Sequence, residues 1–68
     1  MEKLREQLNY QLALCDRAYN QSTRKTFYDQ AFGMAGMYMC LHPEEGEAVT
    51  MLWNDEYRPK FESMIYGN

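Results

Sequence analysis

The chain has 68 residues and a net charge of −3 at neutral pH, from seven basic and ten acidic side chains. A chain this short makes one domain and buries only about 60% of its unfolded surface, so folding needs support from a disulfide, a metal or a partner subunit. It has neither a cationic start followed by an apolar run nor a long uninterrupted apolar stretch, which predicts a cytoplasmic protein without an export signal or a membrane span.

The first predicted element is a helix over residues 1–20. A short turn over residues 20–23 follows it, in which Ser22 or Thr23 is expected to cap the next helix. Two amphipathic helices joined by so short a turn predict an antiparallel hairpin. The apolar stripe of the first helix recurs at helical spacing and comprises Leu4, Leu8, Leu12, Cys15 and Tyr19.

The second predicted helix covers residues 23–41 and is the most apolar stretch of the chain. Its apolar face spans about half of the helix circumference, wider than the roughly 100° stripe of an ordinary surface helix, so it needs neighbours on two sides. The main face comprises Phe27, Ala31, Met34, Ala35, Tyr38 and Leu41, and Tyr28, Phe32 and Met39 extend it sideways.

Two glycines lie off this face, in a row with Asp29 and Cys40. Each of Gly33 and Gly36 costs about 0.5 to 1 kcal/mol relative to alanine inside a helix. One interpretation is that the fold tolerates a locally less stable stretch of helix. The other is the close approach of another backbone, either within this chain or across a dimer.

A third helix is predicted to begin at Pro43, because proline and acidic residues favour the first turn of a helix. Pro59 is expected to kink or interrupt it between residues 54 and 59, with Asn54 or Asp55 capping a new segment that stops at Gly67. The sequence therefore predicts an all-α bundle of three to four helices in a single domain over residues 1–68. The inward residues of this last part are Val49, Leu52, Trp53, Tyr57, Phe61, Met64 and Ile65.

The residues that could carry chemistry are few. In the predicted hairpin Cys15 and Cys40 lie roughly 16 Å apart, too far for a disulfide, so both are interpreted as free and mostly buried thiols. Cys40, His42 and the acidic pair Glu44 and Glu45 suggest a metal site, but zinc usually needs a second pair of ligands that the chain lacks. We therefore predict no metal, no cofactor and no enzymatic activity.

A nucleic-acid interface is the alternative to a protein interface. The predicted hairpin resembles a helix-turn-helix, and Arg17, Arg24 and Lys25 are its only candidate phosphate ligands. Up to His42 the chain has five basic and four acidic residues, and after it two basic and six acidic ones, so it lacks the usual basic stripe. The six acidic residues of the second half are a weak signal for a mimic that occupies a basic protein site, and the ordinary explanation is a solvated surface that keeps the domain soluble.

Ten aromatic residues and six methionines exceed what a core of short helices can cover. Exposed aromatic and methionine side chains are typical of partner sites. We therefore predict a small interaction or regulatory module that binds a second copy of itself or another protein. The candidate interface residues are Tyr28, Phe32, Gly33, Gly36 and Met39.

The segment over residues 53–67, WNDEYRPKFESMIYG, resembles the C-terminal ends of small uncharacterised helical proteins of Gram-positive bacteria and their mobile elements. The resemblance covers about a fifth of the chain. It implies a bacterial cytosolic setting and assigns no functional residue.

Overall fold

The computed structural model describes residues 1–67, and in that range it is helical throughout apart from short connections. Helix α1 covers Glu2–Arg17 and α2 covers Gln21–Leu41. A 3-10 turn at Pro43–Glu45 leads into α3 at Gly46–Leu52, a π-helical turn at Trp53–Tyr57 and α4 at Arg58–Tyr66. The last three pieces run on without a break, and we refer to Gly46–Tyr66 as the C-terminal helix.

The three helices run up, down and up. The Cys15 thiol donates to the Arg24 carbonyl at 3.7 Å, which joins the end of α1 to the start of α2 and confirms the predicted hairpin. The Gln21 side-chain amide donates to the carbonyl of Ile65 at 3.0 Å, so the C-terminal helix is antiparallel to α2. The molecule is 37 Å long, and α2 with its 21 residues runs about 32 Å along it.

The core lies between α1 and the C-terminal helix, with α2 packed against both. From α2 only Ala31 and Ala35 are fully buried, and its larger side chains are half-buried or exposed. Small residues at these two positions let the α2 backbone approach the other helices closely. The remaining core residues are Leu4, Leu8, Leu12 and Cys15 of α1, with Val49, Leu52, Trp53, Tyr57, Phe61 and Ile65 of the C-terminal helix.

The first turn differs from its prediction. Helix α1 ends at Arg17, and Ala18 has extended backbone angles, so Tyr19 projects from the turn and is fully exposed. Asn20 caps α2, because its side-chain oxygen accepts from the Thr23 backbone N–H at 2.8 Å. The expected cap at Ser22 or Thr23 and the expected burial of Tyr19 were therefore wrong.

The irregularity expected before Pro59 is present as the π-helical turn. Arg58 donates its backbone N–H to the carbonyl of Trp53, five residues back, and the angles at Tyr57 and Arg58 remain helical. A π turn widens the backbone just before a proline that lacks an N–H and crowds the preceding turn. Tyr57, and neither Asn54 nor Asp55, occupies the cap position of α4.

The predicted helix ends at Leu41 and Gly67 are confirmed. Helix α2 stops at Leu41, before the His42–Pro43 pair. Gly67 adopts a left-handed conformation with φ of 75° and donates its N–H to the Ser63 carbonyl at 2.9 Å.

Within residues 1–67 no helix is both long and apolar enough to cross a membrane.

Candidate interaction surface

Three of the five candidate interface residues line one apolar groove between α2 and the C-terminal helix. Phe32 is 62% exposed and forms one wall, while Trp53 beneath it is buried. Their rings are tilted with centroids 5.6 Å apart. We call this depression the Phe32 groove, and its lining consists of Phe32, Ala35, Gly36, Met39, Val49, Thr50, Trp53 and Asn54.

Tyr28 belongs more to the core than to the exposed surface. Its ring stacks on Trp53 at 5.7 Å and on Phe61 at 5.5 Å, and its hydroxyl donates to Glu62 at 3.1 Å. Burial, and then the bond to Glu62, raise the pKa of Tyr28. The nearby Arg58 guanidinium donates to the same carboxylate at 3.0 Å and lowers the pKa of Glu62. Tyr28 is therefore half-buried and packs on the rings of Trp53 and Phe61.

Met39 forms the far wall of the groove. It is half-buried, and the Thr50 hydroxyl approaches its sulfur at 3.9 Å. A Cβ added to Gly46 would stand 3.8 Å from the Met39 methyl group, which is ordinary contact. Met39 thus packs across the junction between α2 and α3 and can shift to accommodate an incoming side chain.

The glycines face outward. In the described part of the chain a Cβ on Gly33 or Gly36 would meet no side chain and no other helix within 4 Å. Close backbone approach within this chain, one of the two reasons considered for these glycines, is therefore excluded. They lie on an exposed strip of α2, the glycine face, which consists of Lys25, Asp29, Gly33, Gly36 and Cys40.

A second apolar patch lies on the other flank of α2, beside α1. Met37 is 69% exposed and Leu41 is 72% exposed, so the predicted burial of Leu41 was wrong. Sequence reasoning missed this patch, because the helical pattern places Met37 on neither of the two predicted faces. We call it the Met37 patch, formed by Leu4, Met34, Met37, Tyr38 and Leu41.

Arg24, one of the three candidate phosphate ligands, bonds to backbone carbonyls of its own chain. Its guanidinium donates to three backbone carbonyls: Met64 at 2.7 Å, Ala18 at 3.2 Å and Asp16 at 3.4 Å. These bonds satisfy carbonyls at the ends of α1 and α4 and tie both helices to the start of α2. The second candidate, Lys25, lies over the Tyr66 ring at 5.7 Å.

The third candidate, Arg17, is exposed in the last turn of α1. Three of the five N–H donors of Arg24 are engaged within the chain, so Arg24 is less available to phosphates than Arg17 and Lys25 are. Two cations with six acidic residues in the second half of the chain are a weak basis for nucleic-acid binding.

The cluster around His42 connects α2 to the next turn. The Tyr38 hydroxyl donates to Glu45 at 2.7 Å, which raises the pKa of Tyr38, and the His42 imidazole lies 3.6 Å from the Glu44 carboxylate. Potential ligand atoms of His42, Glu44 and Glu45 lie within 4.8 Å of one another. Cys40, the other residue considered as a ligand, is exposed and lies outside this group, so its predicted burial was wrong.

Glu45 is already engaged by Tyr38, while His42 and Glu44 are largely exposed. Neighbouring acidic groups at the start of a helix are also what the helix dipole favours. The geometry of this cluster is thus accounted for by the helix junction.

Comparison with known proteins gives no match: no protein-family model, no curated protein and no solved structure is similar to this chain.

Proposed function

We propose that the protein is a small non-enzymatic interaction module that forms a homodimer through the outer surface of α2. The observation that carries this proposal is the exposure of three large apolar side chains on one helix, Phe32 at 62%, Met37 at 69% and Leu41 at 72%. They border the Phe32 groove and the Met37 patch. Aromatic and methionine side chains around a groove are typical of protein interfaces.

The size of the chain supports self-association. A domain of this length has a small core, and α2 contributes only two alanines to the fully buried part of it. Burial of the α2 surface against a second copy would remove further apolar area from water, at about 25 cal/mol per Å². Folding and assembly would then support each other.

The experiment is sedimentation velocity over a range of protein concentrations. We expect the mass to rise from one chain to two, with weaker association in Phe32→Ala and in Met37→Lys. Tyr10→Ala is the matched control, because Tyr10 is 61% exposed but lies on α1. Met51→Lys is the control for Met37, since Met51 is 56% exposed and lies on the C-terminal helix. A single-chain mass at the highest attainable concentration would overturn the proposal.

The DNA-binding alternative has less support, because the Arg24 guanidinium is held by carbonyls of its own chain. It predicts duplex binding that weakens with salt and disappears when Arg17 and Lys25 are both replaced by alanine. Binding of a mixed-sequence duplex at low salt, lost in that double variant, would favour it over self-association.

A further inference from the structure

On the outer surface of α2, two pairs of residues are placed symmetrically about one point along the helix. Phe32 and Met37 project on opposite flanks of the glycine face, and Gly33 and Gly36 leave open space between them. The midpoint of each pair falls between Met34 and Ala35.

We propose that a second copy packs its α2 antiparallel on the glycine face, with the two-fold axis passing between Met34 and Ala35. This inference rests on the homodimer proposed above and specifies its geometry. In such a pair, residues whose numbers add to 69 lie at about the same level along the helices. Gly33 then lies at the level of Gly36 of the second copy, where the absence of side chains permits close contact of the backbones.

Charge favours this direction. The antiparallel pairing places Asp29, the one charged residue in the overlapping part of α2 (residues 28–41), at the level of the neutral Cys40 of the second copy. A parallel, in-register pair would place Asp29 beside Asp29 and Lys25 beside Lys25, and like charges across an interface are unfavourable.

The groove gives Phe32 a place in the same arrangement. In an antiparallel pair the two-fold axis is perpendicular to the helices and lies in the plane of the interface. The flank of α2 that carries Phe32 is therefore on the same side of the pair in both copies. Phe32 of one copy thus lies on the side where the other copy has its Phe32 groove. At the level of position 37 it lies between Gly36 and Met39 of the second copy, within the mouth of the Phe32 groove. Each copy therefore supplies one aromatic side chain and one groove, which makes the interface self-complementary.

Disulfide trapping tests the register. In the antiparallel pair Asp29 lies at the level of Cys40 of the second copy, so Asp29→Cys should give a covalent dimer on mild oxidation. Within one chain, positions 29 and 40 are about 16 Å apart along the helix, beyond the reach of a disulfide. The effective concentration inside a pair is in the millimolar range, so trapping should be about 1,000-fold faster than in a micromolar solution of separate chains.

Two controls define the outcome. Wild type should not cross-link, because the two Cys40 thiols lie about 16 Å apart in this register, and Asp29→Cys with Cys40→Ser should not cross-link either. Rapid cross-linking of wild type through Cys40 would overturn the antiparallel arrangement. A dimer by sedimentation in which Asp29→Cys is not trapped would overturn the register and leave the proposed function standing. A monomer by sedimentation would overturn both.

Discussion

At the residue scale, the role of a side chain in this protein depends on which backbone groups it reaches. Arg24 follows Thr23 in a basic, polar stretch that has the composition of a phosphate site. In the folded chain its donors bond to carbonyls of Asp16, Ala18 and Met64. Asp16 and Ala18 are close to Arg24 in the sequence, but Met64 lies 40 residues away. No pattern in the sequence around Arg24 predicts so distant a partner.

Replacement of Arg24 by alanine should destabilise the fold. Hydrogen bonds to a charged group contribute about 1.5 to 3 kcal/mol each when buried, and Arg24 is half-buried, so we expect a loss of about 2 kcal/mol in the free energy of unfolding. Urea denaturation followed by circular dichroism measures it. Arg17→Ala is the matched control and should change stability by less than about 0.5 kcal/mol, as usual for an exposed position. Equal effects of the two variants would contradict a stabilising role for the three Arg24 hydrogen bonds.

The two thiols should differ in reactivity. Cys15 is fully buried and burial raises the pKa of its thiol, whereas Cys40 is exposed on the glycine face. The thiolate is the reactive form, so in dilute protein, where single chains predominate, a disulfide reagent should modify Cys40 rapidly and Cys15 only when the chain opens. Time-resolved mass spectrometry should show one fast modification per chain, absent from Cys40→Ser. Two modifications at equal rates would contradict the buried position of Cys15.

At the element scale, helical periodicity located all the long elements, and their ends depended on local chemistry. Pro43 and Gly67 mark their boundaries because each restricts or permits particular backbone angles without help from the rest of the fold. Asn20 and Ser22 are both good capping residues, so the choice between them depended on where α1 ended. The π turn before Pro59 shows that a long helix packed along its whole length can retain a proline.

Substitutions at Gly36 should affect the stability of the single chain and its self-association in different ways. Gly36→Ala should raise the stability of the single chain by about 0.5 to 1 kcal/mol, since a Cβ there meets open space and alanine is the better helix former. Gly36→Leu should also fold, yet it should weaken self-association by holding the two backbones apart. Thermal unfolding at low concentration and sedimentation at high concentration measure the two effects. Unchanged association in Gly36→Leu would contradict a glycine contact at the interface.

The whole molecule should lose stability at alkaline pH. Burial raises the pKa of Tyr57 and Tyr28, and the bond to Glu45 raises the pKa of Tyr38. The folded chain therefore holds these protons more tightly than the unfolded chain, whose tyrosines titrate near pH 10.0. The stabilisation is fully present below pH 10 and is lost as the pH rises from there through the folded-state values.

Urea midpoints at neutral pH and above about pH 10 test this, and the midpoint should fall. Tyr57→Phe removes one titrating group, so its midpoint should fall less steeply with pH than that of wild type. It should also cost about 1 kcal/mol at neutral pH, because the Tyr57 hydroxyl donates to the Asn9 side chain at 2.8 Å. A wild-type midpoint that stays constant up to pH 11 would contradict the raised values.

The sequence by itself determined that the chain is an all-α bundle, because periodicity, proline and glycine act over a few residues. It also selected Phe32, Gly36 and Met39 as candidate interface residues, and these three line one groove in the structure. Only the tertiary structure decided that Tyr28 packs inward, that Leu41 and Tyr19 remain exposed and that Arg24 joins three helix ends. Those outcomes depend on which helix covers which flank, and that is set by packing between residues far apart in the chain.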